Sequence, residues 1–274
     1  MGRGAHGESL HPSRVILFPM VSPIRNRNGE RLAHVFTPPA SPLAPISPGA
    51  NEGLRKLAII GHGVTSHHDR PYFVRLCEAF ARAGIASVRF SFAGNGASEG
   101  RFEDATITKE VQDLGCVLDA FPEYAPIYIG HSMGGAVGVL RAARDARLKA
   151  LVSLAGMVHV QAFMERVFGH LRPERDLMLE REGCPLTQRF LDDARGIGSL
   201  VETGAALRLP FLLVHGSADE LVPIEDSRDV HAGNGTTELV ELAGVDHRFT
   251  DHIEDMVEAV TGWVAKLPGR PGPG

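Results

Sequence analysis

Cysteine is scarce in this sequence. Three cysteines occur among 274 residues, and Cys77, Cys116 and Cys184 lie far apart along the chain. An odd number of widely spaced cysteines argues against a disulfide framework. We therefore expect reduced thiols and a cytoplasmic location.

Two kinds of run are also missing. No stretch is dominated by lysine and arginine, and the formal net charge is −5, so nucleic acid and anionic membranes are not expected partners. No apolar run approaches the ~18 residues that a membrane span needs. Residues 15–21 are apolar, but Pro19 interrupts them and no small-residue cleavage site follows, so they predict a strand rather than a secretory signal.

The rest of the chain alternates between short apolar segments and amphipathic segments. Strands are predicted at residues 15–24, 31–37, 56–60, 86–92, 126–129, 148–154, 210–215 and 237–242. Helices are predicted at residues 71–83, 106–121, 133–146, 224–232 and 252–266. Apolar strands separated by helices predict an α/β fold with a mostly parallel sheet of about eight strands and helices on both faces.

One segment interrupts this alternation. Residues 158–208 contain no convincing strand, and residues 187–194 predict a helix. Apolar residues also recur there at helical spacing: Val160, Phe163, Met164, Val167, Phe168 and Leu171. The stripe belongs either to an ordinary packing helix or to a small helical lid. In a lid, we expect Phe163, Met164, Val167 and Phe168 to line the acyl side of a substrate.

This segment sets the predicted domain organisation. Residues 14–157 and 209–267 form one core, and residues 158–208 form the lid. Residues 1–13 and 268–274 are expected to be flexible termini.

One glycine-rich segment lies between a predicted strand and a predicted helix. Residues 127–135 read Ile-Tyr-Ile-Gly-His-Ser-Met-Gly-Gly, with Ser132 at the turn. This context matches the Gly-x-Ser-x-Gly nucleophile elbow, in which a strained turn projects the serine hydroxyl above the sheet. Glycine is favoured two residues before and after the serine because the turn is crowded. Ser132 is therefore the candidate nucleophile.

A serine hydroxyl needs a base to remove its proton and a carboxylate to orient that base. Asp219 follows an apolar strand, and His247 lies between the last strand and the last helix, in the chain order that such a site requires. The neighbouring Glu220 is expected to be a solvated loop charge, and His252 a surface residue. His131 is expected to orient or pack, because the base must approach from a separate loop.

Stabilising the negative charge of the reaction requires two N–H donors. The backbone N–H of Met133 directly follows Ser132 and is one candidate. Residues 61–65 read Gly-His-Gly-Val-Thr after the strand at 56–60, and their glycines allow close backbone approach. The N–H of Val64 is therefore the second candidate for an oxyanion hole.

A histidine-rich stretch is a candidate metal site. It contains His62, His67, His68 and Asp69, but these residues lack paired ligand spacing such as His-x-x-x-His on one helix. We therefore expect no metal and no other cofactor.

Together, these segments resemble the α/β-hydrolase superfamily from about residue 15 to residue 266. The supporting motifs are residues 61–65, 89–100, 130–135, 216–219 and 246–247. Within the superfamily, the sequence looks like small feruloyl- and cinnamoyl-esterase-like and serine-aminopeptidase-like hydrolases. The resemblance implies Ser132 as nucleophile, Asp219 as orienting acid, His247 as base, and Val64 and Met133 as oxyanion donors.

The loop at residues 89–100 departs from the pattern of this family. Related sequences usually carry an acidic residue where Ser91 stands and often a histidine where Asn95 stands. Neither position belongs to the triad, so the departure leaves the implied chemistry intact.

The predicted activity is hydrolysis of small-molecule acyl esters through a covalent acyl-serine. The same groups can attack thioesters and small-peptide amides, so a thioesterase or a peptidase is the alternative. A binding protein that kept the fold and an acyltransferase are further rivals. The sequence leaves acyl specificity and oligomeric state open, with a homodimer as one option.

Overall fold

A seven-stranded sheet organises the residues that the computed structural model describes, 22–40 and 54–268. Its strands are β1 (His34–Thr37), β2 (Arg55–Gly61), β3 (Ala86–Phe90), β4 (Tyr124–His131), β5 (Ala150–Leu154), β6 (Phe211–Gly216) and β7 (Thr237–Leu242). The strand order is β1-β3-β2-β4-β5-β6-β7. β1 pairs antiparallel with β3, and all other neighbours are parallel, as expected.

The predicted first strand is only partly within the described residues. Residues 15–21 lie outside them, and residues 22–24 are not in a strand. Asn26 begins a tight turn, because its side-chain oxygen accepts the N–H groups of Asn28 and Glu30. A single antiparallel bridge between Arg25 and Arg31 closes this turn.

Helices connect the strands and cover both faces of the sheet. They are α1 (Pro71–Arg82), α2 (Ile107–Asp119), α3 (Met133–Ala142), α4 (Val160–Phe168), α5 (Gln188–Ile197), α6 (Val201–Ala206), α7 (Glu225–Gly233) and α8 (Ile253–Lys266). None of the helices in the described residues is both long enough and apolar enough to cross a membrane.

Side chains alternate along each strand and fill two separate cores. On β2, Leu57 and Ile59 enter the core shared with α2 and α3, whereas Ala58 and Ile60 enter the core shared with α1 and α8. Successive residues of a strand point to opposite faces, so a strand that is buried on both sides has to be apolar throughout. This explains the continuous apolar runs of the sequence.

The segment between β5 and β6 packs against the body of the molecule. Phe163, Met164 and Phe168 of α4 are buried in the core that contains α2 and α3, and Val167 packs against it. Asp226 of α7 accepts the N–H groups of Val158 (2.7 Å) and His159 (3.0 Å) and so fixes the start of the segment. The sequence pattern does not predict the short helix α6.

Candidate active site

Ser132 occupies a strained turn between β4 and α3. Its φ of 55° and ψ of −121° lie in a region that non-glycine residues rarely adopt, at a cost of about 1–3 kcal/mol. The surrounding backbone holds this conformation: Ser132 N–H donates to the carbonyl of Leu154 (2.9 Å), and the Ser132 carbonyl accepts from Gly135 (2.8 Å) and Met157 (3.1 Å). The predicted elbow geometry is thus fixed from both sides.

Glycines let three chain segments meet at this turn. A methyl group on Gly130 would lie 2.1 Å from the carbonyl oxygen of Gly134, and one on Gly134 would lie 2.8 Å from that of His62. A methyl group on Gly63 would lie 2.8 Å from Cβ and 3.2 Å from Oγ of Ser132. A side chain at any of these positions would clash with its neighbours. The glycines therefore allow the loop after β2 to pass directly beside the serine.

Asp219 and His247 form a hydrogen-bonded pair beside Ser132. Nδ1–H of His247 donates to Oδ2 of Asp219 over 2.7 Å. The carboxylate is fully buried, and the imidazole side chain is 11% exposed. With its proton on Nδ1, His247 presents an unprotonated Nε2 that can accept a proton. His247 and Ser132 line the same cavity, although no hydrogen bond joins their side chains within the described residues.

The carboxylate of Asp219 accepts three further hydrogen bonds. Oδ1 accepts the N–H groups of Leu221 (2.9 Å) and Val222 (2.8 Å), and Oδ2 also accepts Nε2–H of the buried His215 (3.2 Å). Burial favours a higher pKa for Asp219, but the hydrogen bonds from His215 and His247 outweigh it and hold that pKa well below its usual range. The carboxylate therefore stays ionised across physiological pH.

Glu220 and His252, the other acidic residue and histidine considered near Asp219 and His247, lie at the surface. Glu220 follows Asp219 and is exposed. His252 directly precedes α8 and pairs with Asp255 over 2.8 Å. Neither one lines the cavity beside Ser132.

Val64 and Met133 supply two unused N–H groups near the serine. Met133 is the first residue of α3, so its N–H has no partner in the helix. Within the described residues, no hydrogen bond engages the backbone N–H of Val64 or of Met133. Both residues line a cavity that adjoins the serine turn.

His62 stabilises the loop that carries Val64. Its Nε2 accepts the N–H of Phe92 (3.1 Å), so Nδ1–H donates to the carbonyl of Gly63 (2.8 Å). Complete burial lowers the pKa of His62 to about 4, which keeps the ring neutral and this tautomer fixed. His68 instead contacts the Ser91 hydroxyl through Nδ1 (2.7 Å). No group of three or more metal-ligating side chains converges anywhere in the described part of the chain.

Two adjoining cavities, here called lobes, lie at the serine turn and share the lining residues Val64 and Thr65. The first lobe is lined by Ser132, His247 and several polar side chains. The second contains Met133 and is mostly apolar. It also contains the buried Glu110, whose Oε2 has no hydrogen-bond partner in the described residues. Burial, and then the charge of Asp113, raise the pKa of Glu110 well above its usual range.

The structure does not bring the predicted acyl-contact residues to either lobe. Phe163, Met164, Val167 and Phe168 all lie on α4 and pack into the core instead. Other residues of the 158–208 segment reach the cavity: Met178, Leu179, Arg181, Pro185, Thr187 and Phe190. The segment therefore borders the site through its later part rather than through its apolar helix.

A family model described as serine aminopeptidase, S33, matches residues 53–189, which is half of the chain. The chain belongs to this family. The residues matched to the S33 family include the loop of Val64 and the turn of Ser132, whereas Asp219 and His247 follow the matched region.

Curated relatives of this S33-family chain differ in their substrates. The chain is 24% identical over 209 residues to the mitochondrial palmitoyl-protein thioesterase ABHD10 of Bos taurus, covering 69% of this chain and 67% of that protein. It is 24% identical over 248 residues to a monoacylglycerol lipase of Mycolicibacterium smegmatis, covering 77% of this chain and 88% of that protein. Matches to ABHD10 proteins of other mammals span 54–55% of the relatives' length, about half.

The fold also matches a solved esterase structure. Est1E from Butyrivibrio proteoclasticus, with ferulic acid bound, superposes with a TM-score of 0.76 and 26% sequence identity. The match covers 89% of this chain and 97% of Est1E. The expected α/β-hydrolase fold is thereby confirmed.

Proposed function

We propose that Ser132, His247 and Asp219 form a catalytic triad that hydrolyses carboxylic esters or thioesters through an acyl-serine intermediate. The observation that carries this proposal is the 2.7 Å hydrogen bond from His247 to Asp219 beside a cavity that Ser132 also lines. The strained turn also supports the proposal. A non-glycine residue at positive φ is unfavourable, and such residues cluster at active sites.

Acylation follows from these positions. Oγ of Ser132 attacks the acyl carbon while its proton passes to Nε2 of His247, and Asp219 stabilises the imidazolium that results. The bond to the leaving group then breaks, and His247 gives its proton to the departing oxygen or sulfur. The hydrogen bond between Ser132 and His247 forms when substrate is bound, as is common for catalytic hydrogen bonds.

Deacylation repeats the same steps with water. His247 takes a proton from a water molecule, whose oxygen attacks the acyl carbon, and the carbon–Oγ bond breaks as the proton returns to Ser132. In both steps, the carbonyl oxygen becomes negatively charged beside the N–H groups of Val64 and Met133. One such donor is worth about 10²–10³ in kcat in comparable sites.

The two lobes have different roles in this mechanism. His247 must protonate the leaving group, so the lobe that it lines receives the alcohol or thiol. We name it the leaving-group lobe. The lobe beyond Val64 and Met133 then receives the acyl chain, and we name it the acyl lobe. Met178 and Phe190 give this lobe apolar walls, with Glu110 as a polar wall.

The class of bond that the chain hydrolyses is inferred from its relatives. They include esterases, lipases and thioesterases, and the chain is accordingly an ester or thioester hydrolase of the α/β-hydrolase fold. A small-peptide or amide substrate is the second candidate, favoured by the name of the family. A cytoplasmic location, a lid at residues 158–208 and a homodimer remain predictions.

A substrate panel with a matched variant tests the proposal. The rates of ester, thioester and peptide-amide hydrolysis are measured for one acyl group, with the wild-type chain and Ser132→Ala. We expect ester or thioester cleavage to exceed amide cleavage and to fall by about 10⁴–10⁶ in the variant, with unchanged folding. Retention of more than about a tenth of the wild-type rate would exclude Ser132 as nucleophile. Product partitioning with added alcohol or amine would identify an acyltransferase.

A further inference from the structure

Three arginine side chains line the leaving-group lobe. Arg70 directly precedes α1, Arg181 lies between β5 and β6, and Arg248 follows His247. Within the described residues, none of the three forms an ion pair, and no aspartate or glutamate lines the lobe. The lobe is therefore positively charged, although the formal net charge of the chain is −5.

Many arginines elsewhere in the structure have carboxylate partners. Examples are Arg75 with Glu254 (2.8 Å), Arg228 with Glu241 (2.7 Å) and Arg172 with Asp176 (3.0 Å). Around this cavity, by contrast, three guanidinium groups without a carboxylate partner among the described residues lie together. Nε of Arg70 is buried without a hydrogen-bond partner, and an unsatisfied buried donor costs about 1–3 kcal/mol. Such a cost calls for an explanation.

Arginine is suited to bind carboxylate and phosphate groups, because its planar guanidinium donates two parallel hydrogen bonds to their oxygens. We infer that the substrate's leaving group carries a phosphate or carboxylate, which Arg70, Arg181 and Arg248 bind beside Ser132. The inference rests on the proposed function, because the role of His247 defines the leaving-group side.

The two lobes differ in the charge of their lining residues, and this difference indicates which part of the substrate carries the anion. Among the described residues that line the acyl lobe, Glu110 is the one acidic residue, and none is a lysine or an arginine. An anion on the acyl chain would thus meet apolar walls and a carboxyl group, whereas an anion on the leaving group meets three cations. The expected substrates are esters or thioesters of an apolar acid with an anionic alcohol or thiol.

Three thioesters of one acid, hexanoate, test this inference on the full chain. Their thiols are mercaptoethanol, which is neutral, mercaptoethyl phosphate and mercaptopropionate. Release of free thiol gives kcat/KM for each. We expect at least one anionic thioester to exceed the neutral one by about tenfold or more, through charge-assisted hydrogen bonds. The preference should shrink between about 0.02 M and 0.5 M ionic strength, because salt screens exposed charges. The two anionic thiols distinguish phosphate from carboxylate recognition.

Charge-neutral variants assign the preference to these residues. Arg181 and Arg248 are exposed, so Arg181→Gln and Arg248→Gln leave the core intact. We expect each to lower the anionic-to-neutral ratio of kcat/KM by about three- to tenfold, mainly through KM. Arg82→Gln is the matched control, because Arg82 is exposed at the opposite end of α1 from Arg70. This control should keep the wild-type ratio.

Two results would overturn the inference. One is equal cleavage of the neutral and both anionic thioesters by the wild-type chain. The other is an equal loss for charged and neutral substrates in Arg181→Gln and Arg248→Gln, which would indicate a structural role. Failure of the proposed function is distinguishable, because Ser132→Ala would then still cleave the neutral thioester.

Discussion

His131, the residue before Ser132, donates Nε2–H to the backbone carbonyl of His247 over 2.9 Å. Its ring centroid lies 4.8 Å from that of His247, and its Nδ1 faces the hydroxyl of Tyr72 at 3.3 Å. Burial, and then the charge of His247, lower the pKa of His131 to about 3, so the ring is neutral and this tautomer is fixed. The elbow thus holds the loop of the proposed base directly.

We expect His131→Ala to lower kcat by about tenfold or more with a smaller change in KM. The reason is the loss of one buried hydrogen bond, worth about 0.5–1.5 kcal/mol, and of the ring that supports His247. His131→Gln retains a side-chain N–H donor and should recover part of the rate. Steady-state kinetics and melting temperatures of both variants check this. A large loss in stability with an unchanged kcat would contradict a positioning role.

Buried neutral histidines should make the protein acid-sensitive. The pKa values of His62 and His131 are lowered by burial from 6.5 to about 4 and about 3. Between those values and 6.5, the unfolded chain binds protons that the folded chain does not, so the free energy of unfolding falls as pH falls. At pH 5 the loss is about 2 kcal/mol for each histidine relative to neutral pH.

Urea unfolding at pH 7 and pH 5 measures this effect. The difference between the two pH values should be smaller by about 2 kcal/mol in His131→Gln than in the wild-type chain. An identical pH dependence in both proteins would show that His131 does not resist protonation in the folded state.

Asp219→Asn should damage activity far more than Glu220→Gln. Asp219 holds Nδ1–H of His247, and an amide in its place can stabilise the wrong tautomer, at a cost of order 10⁴ in kcat. Glu220 is exposed and does not line the cavity, so its loss should change kcat little. The rates of the two variants on one ester decide the assignment. If Glu220→Gln proved the worse variant, the acid would have to be reassigned.

Two phenylalanines of the 158–208 segment should behave differently. Phe168 packs in the core, so Phe168→Ala should lower stability by about 3–5 kcal/mol and affect all acyl groups alike. Phe190 lines the acyl lobe, so Phe190→Ala should enlarge it and shift the preference toward longer or bulkier acyl groups. Melting temperatures and kcat/KM across a series of acyl chain lengths test both. A shifted acyl profile in Phe168→Ala would support the original lid interpretation.

Much of the fold could be predicted because its signals are local. The helix predicted at 71–83 is observed at Pro71–Arg82, since Pro71 favours a first helical turn and the apolar spacing continues to its end. The helix predicted to reach residue 146 ends at Ala142, because alanine-rich sequence alone does not mark a helix end. The sequence likewise places Asp219 and His247 after successive strands, which explains why they meet.

The surroundings of the site could not be predicted in the same way. The apolar stripe of α4 indicates a buried face but not which surface buries it, and the structure places that face in the core. His215 donates to Asp219 only because β6 and its following loop fold back together. Arg70, Arg181 and Arg248 come from separate loops without a shared motif, so only the folded chain brings them to one cavity.

Covalent labelling identifies the nucleophile without reference to any substrate. The wild-type chain and Ser132→Ala are treated with a fluorophosphonate, and intact-protein and peptide masses are measured. We expect one adduct per wild-type chain, located on Ser132, because His247 makes this hydroxyl nucleophilic. We expect no adduct on the folded Ser132→Ala variant. Labelling at another residue, or no labelling of the folded wild-type chain, would contradict the assignment of Ser132 as the nucleophile.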